Sequence, residues 1–325
     1  MYNREELLVK VASLFYEGNK TQTQISKELG ISRPTVASIL SEAKEKEIVQ
    51  IIISHPNKLV LKNERVLRNF FPNTRILVAP QSSGNAKESV GLITAKLLKD
   101  LLPEVNSIGI GWGSTLSEVI KAFDYIKVNK LSVVPLIGGM INYDAQYHSN
   151  HLVSSLTTKL NGEAKADYLY APAIADSVEI KKHFVENNLV KDVITKAKKV
   201  DLALVGIGNP MVNSNYQEHG YISEVEIEEL REENVIGDIL TSFFRSDGDV
   251  IKSKISDRMI GLNIGDLEKI NLVVAAATGE EKTQSALVTL KNELIDYLVI
   301  DEILANSLVD VLVTEEELKQ KDKEE

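Results

Sequence analysis

The sequence predicts a mixed α/β protein in two parts: a small N-terminal winged helix-turn-helix unit, then a larger Rossmann-like domain built on a parallel sheet. Three observations predict it. Helical periodicity dominates the first 46 residues. From residue 76 onward, short and near-continuous apolar runs alternate with helical stretches, the pattern of parallel strands covered on both faces. At 325 residues the chain has room for about two domains.

Taken in order, residues 3–17 read as a helix with Leu7, Leu8, Val11, Leu14 and Phe15 at helical spacing, stopped by Gly18 and Asn19. Thr21 and Gln24 form a capping box, in which the Thr hydroxyl caps and the Gln reaches back. That second helix runs through Ile25 and Leu29 to Gly30, a C-terminal stop, and Ile31 is the apolar turn residue. Ser32 caps a third helix, whose first turn tolerates Pro34 and whose inner face is Val36, Ile39, Leu40 and Ala43. Residues 48–53 are a short β run, read as the wing. Residues 54–75 form a connector. Its short amphipathic helix places Leu59, Leu61, Val66, Leu67, Phe70 and Phe71 against Lys58, Lys62, Arg65 and Arg68, and ends at Pro72.

In the body, strands are expected at 76–79, 107–111, 131–137, 168–171, 202–207, 272–277 and 297–300. Helices are expected near 86–102, 114–123, 149–160, 178–186, 189–198, 224–230, 282–292 and 302–309. Residues 241–245 and 250–253 flank a Ser-Asp-Gly-Asp turn and read as a hairpin set into that alternation. The organisation is thus a head at 1–53, a connector at 54–75, a body at 76–315 and a charged tail at 316–325, read as a solvated helix end or disordered.

Composition narrows the chemistry. The chain has no cysteine, which excludes disulfides, thiolate metal sites and a cysteine nucleophile. Five histidines supply metal chemistry poorly, and no cofactor is expected. No run reaches the roughly 18 apolar residues that span a bilayer. The start, MYNREELLVK, has early acids and no apolar core, so it does not read as a secretory signal. A cytoplasmic protein without membrane contact is expected. The net charge of −10 hides an asymmetry: residues 1–75 hold 12 Lys/Arg against 8 Asp/Glu, and the rest holds 25 against 39.

Residues 21–46 have the helix, tight turn and second helix of a DNA-reading unit. Such a unit places the start of its second helix in the major groove. Here that start is Ser32, Arg33, Pro34, Thr35 and Ser38. Arg33 can donate two bonds to a guanine edge, and Thr35 and Ser38 can bond bases or phosphate. Gln22 and Thr23 open the preceding helix, where backbone N–H groups face a phosphate. The alternative is a plain helical hairpin. Residues 1–53 carry seven Lys/Arg and seven Asp/Glu, so one copy binds phosphates weakly and several heads on one oligomer are needed.

The second motif is Gly111-Trp112-Gly113-Ser114-Thr115, a glycine turn between a strand and a helix start. The glycines let the backbone approach a ligand, and the hydroxyls and free N–H groups of the helix start favour an anion such as a sugar phosphate. The spacing matches neither the dinucleotide fingerprint nor a Walker loop, and a bare turn is the alternative. Other clusters fall at strand ends, where open α/β sheets carry their binding crevice. These are Gly138 and Gly139 with Asn142 and Gln146 beyond, Gly208 with Asn209, the stretch from Thr278 to Lys282, and Asp301 with Glu302.

With these pieces in place the chain resembles the SorC family of sugar-responsive transcriptional regulators over nearly its whole length. The resemblance is carried by LGISRPTVASIL (29–40), IGIGWGSTL (108–116), VVPLIGG (133–139), LVGIGNP (204–210), VIGDILTSFFRSDGDVI (235–251), ATGEEK (277–282) and IDEILA (300–305). It implies an effector domain similar to sugar-phosphate isomerases, a homotetramer, and DNA binding to an operator altered by a phosphorylated sugar or polyol. It also implies that Gly111, Gly113, Ser114 and Thr115 cradle the phosphate, that Lys282 pairs with it, and that Gly138, Gly139 and Gln146 line the sugar. Trp112, Gly208 and Asp301 join this effector set. Arg245 departs from the pattern, standing where the family usually has an acid; a guanidinium there favours a second phosphate or a carboxylate. No lysine lies between 131 and 150, so the Schiff base used by one branch is not expected there.

The rival is an active sugar-phosphate isomerase or deaminase. Such chemistry needs a base and an acid at the reacting carbons. After residues 202–207 the chain reads Gly208-Asn209-Pro210-Met211, without the Asp-Gly-His of the deaminase branch. His148 and His151 read as polar helix-start residues, and the pair Asp301 and Glu302 as a cap. The expectation is a regulator, not an enzyme.

Overall fold

The computed structural model describes residues 4–18, 20–46, 48–49, 58–81, 85–139, 145–212, 216 and 221–324. Two compact units divide the chain, Met1–Lys58 and Leu59–Glu325.

The first unit holds α1 (Arg4–Tyr16), α2 (Gln22–Leu29) and α3 (Arg33–Glu45). The local signals act as the sequence indicates. Thr21 closes a full capping box with Gln24, Gly30 ends α2 in the left-handed region at φ 66°, and the Ser32 hydroxyl accepts from the Thr35 amide. Leu8, Val11 and Ala12 of α1 pack with Ile25, Val36, Ile39, Leu40 and Ala43. An Arg4–Glu42 ion pair fastens α1 to α3, and the hydrogen bond from Arg4, then that from Lys46, holds the Glu42 carboxyl below its usual range. The wing expected at 48–53 falls mostly outside the described residues.

The second unit opens with α4 (Lys58–Phe70). This connector helix is a component of the body and not a free strut. Val60 and Leu67 enter the core, Asn63 donates to Asn306 at 2.7 Å, and Glu64 accepts the Val78 amide at 2.9 Å. The expected inner face is corrected by this packing. Leu59 and Leu61 are exposed, because the helix turns Val60, Asn63 and Leu67 inward.

Ten strands follow in the described residues: β1 (Arg75–Ala79), β2 (Ser107–Ile110), β3 (Ile126–Pro135), β4 (Leu160–Ala166), β5 (Leu202–Gly206), β6 (Gly237–Ile239), β7 (Ser242–Phe244), β8 (Val250–Ile251), β9 (Leu272–Ala277) and β10 (Tyr297–Asp301). The intervening helices are α5 (Ala86–Leu101), α6 (Ser114–Ala122), α7 (Ser149–Lys159), α8 (Val178–Glu186), α9 (Asn188–Ala197), α10 (Glu224–Glu232), the single turn α11 (Ile264–Leu267), α12 (Thr283–Lys291) and α13 (Glu302–Glu324). The tail expected from 316 is the continuation of α13.

Seven strands form one parallel sheet in the order β1-β10-β9-β5-β2-β3-β4. Alternate residues feed two cores. Leu202, Leu204, Val274, Ala276 and Val299 join α5, α6 and α7 on one face. Ala203, Val205, Ala275, Leu298 and Ile300 join α4, α9, α12 and α13 on the other. Both faces are covered, which is why these strands read as unbroken apolar runs. The strand expected at 168–171 is not formed; the edge strand beside β3 is β4, which is polar. The hairpin at 241–253 is present as β7 and β8, with β6 added to make a small antiparallel sheet.

The order of the strands positions the site. From β2 the chain moves outward through β3 and β4, then returns to β5 beside β2 and moves the other way through β9 and β10. The connection reverses between β2 and β5, so the loops leaving their carboxyl ends part and leave a crevice.

Candidate functional site

A cleft of about 260 Å3 occupies that crevice. Its walls are the turn after β2 (Trp112 to Leu116), the turn after β5 (Gly206 to Asn209), Asp238 and Leu240 of the small sheet, and Glu281 and Lys282 after β9. Gly113 carries φ 118° at the N-cap of α6, a conformation that side-chain-bearing residues rarely adopt, and no side chain caps that helix. Its own amide donates to the Tyr147 carbonyl at 3.1 Å. The first turn of α6 thus lines the cleft with no side-chain cap on its first amides, a setting that favours negative charge.

Two lysines flank that turn. Lys282 sits at the end of a short 3-10 turn, Glu280–Lys282, at the start of α12. Burial pushes its ammonium below the usual lysine range and Lys87 adds to this, while Glu281, Asp238 and Asp301 oppose it. Lys87, to which no sequence motif points, joins it. Its Nζ donates to the Ser114 hydroxyl at 2.8 Å. It arrives there because α5 crosses α6 closely at Gly91, where an added Cβ would stand 2.7 Å from the Glu118 carbonyl carbon. Lys87 is one turn before Gly91 and Ser114 one turn before Glu118.

The opposite wall is acidic and aromatic. Asp238 is buried, and its carboxyl is raised from 3.8 to about 7, chiefly by burial, with the Tyr216 hydrogen bond and nearby Lys282 acting against it. The Tyr216 hydroxyl donates to Asp238 at 3.1 Å, and burial and that carboxyl push the phenol up. Trp112 meets Tyr216 edge-on with ring centroids 5.2 Å apart. Asn209 fixes the floor, donating to the Glu281 carbonyl at 2.7 Å and accepting the Met211 amide at 2.9 Å.

Of the expected effector residues, Trp112, Gly113, Ser114, Thr115, Gly208 and Lys282 line this cleft together. Gly111 lies behind it, bonded through its amide to the Leu204 carbonyl. Gln146 is on the 3-10 turn Ala145–Tyr147, next to the residue that holds Gly113. Asp301 supports the site from outside: it accepts the Gly279 amide at 3.0 Å and so shapes the turn that carries Lys282. Gly138 and Gly139 do not line the cleft. They pass against the 171–173 segment, where a Cβ on Gly138 would stand 2.4 Å from the Pro172 carbonyl. Arg245 is also displaced from the expected role. Its Nε donates to the Glu233 carbonyl at 2.7 Å and its guanidinium pairs with the Glu233 carboxylate. His148 stands at the N-cap of α7 and His151 is exposed in its first turn. Asn142 lies outside the described residues. Among the described residues no cluster of metal-ligating side chains is found.

In the head, Thr23, Ser32, Arg33, Pro34, Thr35 and Ser38 are exposed and Gln22 is half-buried. Ser32 and Thr35 also bond each other at 2.7 Å, so their hydroxyls serve the cap. Among the described residues no helix is long and apolar enough to cross a membrane.

Comparison with known proteins agrees with the fold. Residues 55–310 match the family described as "Putative sugar-binding domain". The sorbitol operon regulator of Klebsiella pneumoniae is 29% identical over 310 residues, covering 93% of this chain and 97% of that protein. The deoxyribonucleoside regulator of Bacillus subtilis (strain 168) is 25% identical over 312 residues, 95% of this chain and 99% of that protein. Among solved structures, a DeoR family transcriptional regulator from Listeria monocytogenes superposes with a TM-score of 0.71 at 32% identity, covering 77% of this chain and 99% of that one. The full-length sorbitol operon regulator SorC of Klebsiella pneumoniae gives 0.73 at 28% identity, covering 93% and 98%. The chain belongs to this family of transcriptional regulators with a sugar-binding domain, and it is a regulator rather than an enzyme.

Proposed function

We propose that the chain is an effector-gated operator-binding regulator of a carbohydrate-utilisation operon, whose effector is a phosphorylated sugar or polyol. The phosphate sits at the start of α6 between Lys87 and Lys282, and the carbon chain extends toward Trp112, Tyr216 and Asp238. The observation that carries this reading is the convergence of an uncapped helix start and two lysines on one cleft at the sheet's switch point. Backbone amides and ammonium groups in a partly dry cleft bind a dianion far better than a neutral sugar.

The head reads the operator through the exposed start of α3, with Arg33 toward a base edge and Ser38 toward base or phosphate, while Thr23 at the start of α2 faces a phosphate. Because residues 1–53 carry equal numbers of basic and acidic side chains, several heads act together on one homo-oligomer, a tetramer by resemblance to the family. The effector acts by binding one arrangement of the body better than another, since only differential affinity moves such an equilibrium. A thermal-shift screen of the full-length chain against sugar phosphates, polyol phosphates and the parent sugars tests the proposal. Phosphorylated members should raise the melting temperature through linkage. Stabilisation by parent sugars alone would contradict it.

A further inference from the structure

Resting on that phosphate reading, we infer that the cleft accepts one phosphate and rejects a second: the effector is a monophosphate whose remaining chain is uncharged and hydroxyl-bearing. Among the described residues only two cationic side chains line the cleft, Lys87 and Lys282, and both belong to the walls beside the α6 start. The other charged groups lining it are Asp238 and Glu281. Arg245, the residue with the chemistry for a second phosphate, is held by both the carbonyl and the carboxylate of Glu233.

A second dianion would therefore face Asp238 and the aromatic pair Trp112 and Tyr216 with no further lysine or arginine among the described lining residues to meet it. Above about pH 7, where the Asp238 carboxyl is ionised, burying an unpaired charge beside it is the repulsive element that discriminates between otherwise similar ligands. A neutral hydroxyl meets no such penalty, because a carboxyl accepts from it and a ring packs on its carbon skeleton.

The test is calorimetric titration and thermal shift on the full-length chain with matched sets: a parent sugar, its monophosphate and its bisphosphate, for fructose (6-phosphate and 1,6-bisphosphate), ribulose (5-phosphate and 1,5-bisphosphate) and glucose (6-phosphate and 1,6-bisphosphate), with orthophosphate at millimolar concentration. The expected result is stabilisation by orthophosphate and by at least one monophosphate, with the matching bisphosphate weaker by about tenfold or more. Stabilisation by orthophosphate with no response to any bisphosphate also supports the inference. A bisphosphate that binds as tightly as its monophosphate overturns it and leaves the phosphate reading standing. No response to orthophosphate or any monophosphate overturns the phosphate reading itself, and the inference with it. In Asp238→Asn the ratio of monophosphate to bisphosphate affinity should narrow; an unchanged ratio in a folded variant removes Asp238 as the source of the discrimination. Should that variant fail to fold, the wild-type ratio alone decides.

Discussion

Replacing Lys282 by methionine separates ligand binding from stability, because the two respond in opposite directions. The ammonium is buried, and burial holds its affinity for protons below the ordinary lysine value. The unfolded chain therefore binds this proton more readily than the folded one, and stability rises with pH as the solution passes from the lowered folded value toward 10.5. At neutral pH the charge opposes folding, so Lys282→Met, which keeps the length and removes the charge, should leave the ligand-free protein as stable or more stable. The effector loses a charge-assisted bond, for which about 1.5–3 kcal/mol is the ordinary range, or roughly 10- to 150-fold in affinity. At a ligand concentration of about 100 times the wild-type Kd, wild type gains about 2.7 kcal/mol by linkage, and a variant weakened about 30-fold gains about 0.9. For a body of this size the difference of about 1.8 kcal/mol is roughly 4–7 °C in melting temperature. Differential scanning fluorimetry with and without the most stabilising sugar phosphate measures both effects. A variant with wild-type ligand shift, or with a ligand-free protein several degrees less stable, would refute the reasoning.

Three further outcomes follow from the same geometry. The Asp238 carboxyl is raised from 3.8 to about 7, so the folded state holds its proton more tightly; the stabilisation is complete below about pH 4 and is lost as pH rises through 7, amounting to at most about 4 kcal/mol. Asp238→Asn should flatten that slope in denaturation midpoints taken from pH 5 to 8; parallel curves for the two proteins would contradict the assignment. Gly91→Ala would gain helix propensity on an open surface, but the added Cβ at 2.7 Å from Glu118 separates α5 from α6. It should cost about 1–3 kcal/mol in urea denaturation and weaken the monophosphate by moving Lys87 from Ser114, whereas a more stable protein would show that the crossing is loose. Ser32→Ala removes the cap of α3 and should lower the stability of the head by about 1 kcal/mol, read as faster amide exchange at the start of that helix; unchanged protection would show that the cap contributes nothing.

Much of the architecture was legible because fully covered parallel strands advertise themselves as apolar runs. β5, β9 and β10 needed no tertiary information, and the capping residues Thr21, Ser32 and Gly30 mark helix ends by local chemistry alone. Of the two edge strands, β1 was legible as an apolar run and β4 was not. LNGEAKA, in β4, is polar because most of its side chains are exposed or half-buried, while the apolar and aromatic Tyr168 to Ala171 stretch looks like a strand and is not one. The glycine turn and Lys282 could be read from strand ends. Lys87 and Asp238 could not, since each reaches the cleft through an arrangement that sequence periodicity does not carry: the close crossing of α5 on α6, and the pairing of Gly208 with Asp238. One local signal for the first was available in Gly91, a glycine within an otherwise strong helix. Arg245 was misplaced because its partner, Glu233, precedes it by 12 residues and meets it only once β6 and β7 pair.

An effector-gated regulator requires that the cleft govern the head. Fluorescence anisotropy of the full-length chain on a duplex bearing its operator, titrated at fixed salt with and without the sugar monophosphate that binds the cleft, measures this directly. The expected result is a change in duplex affinity of roughly 5- to 150-fold, the ordinary range for coupled sites, that disappears in Lys282→Met. Identical isotherms with and without bound monophosphate, or no preference for the operator over random duplex in either state, would contradict it.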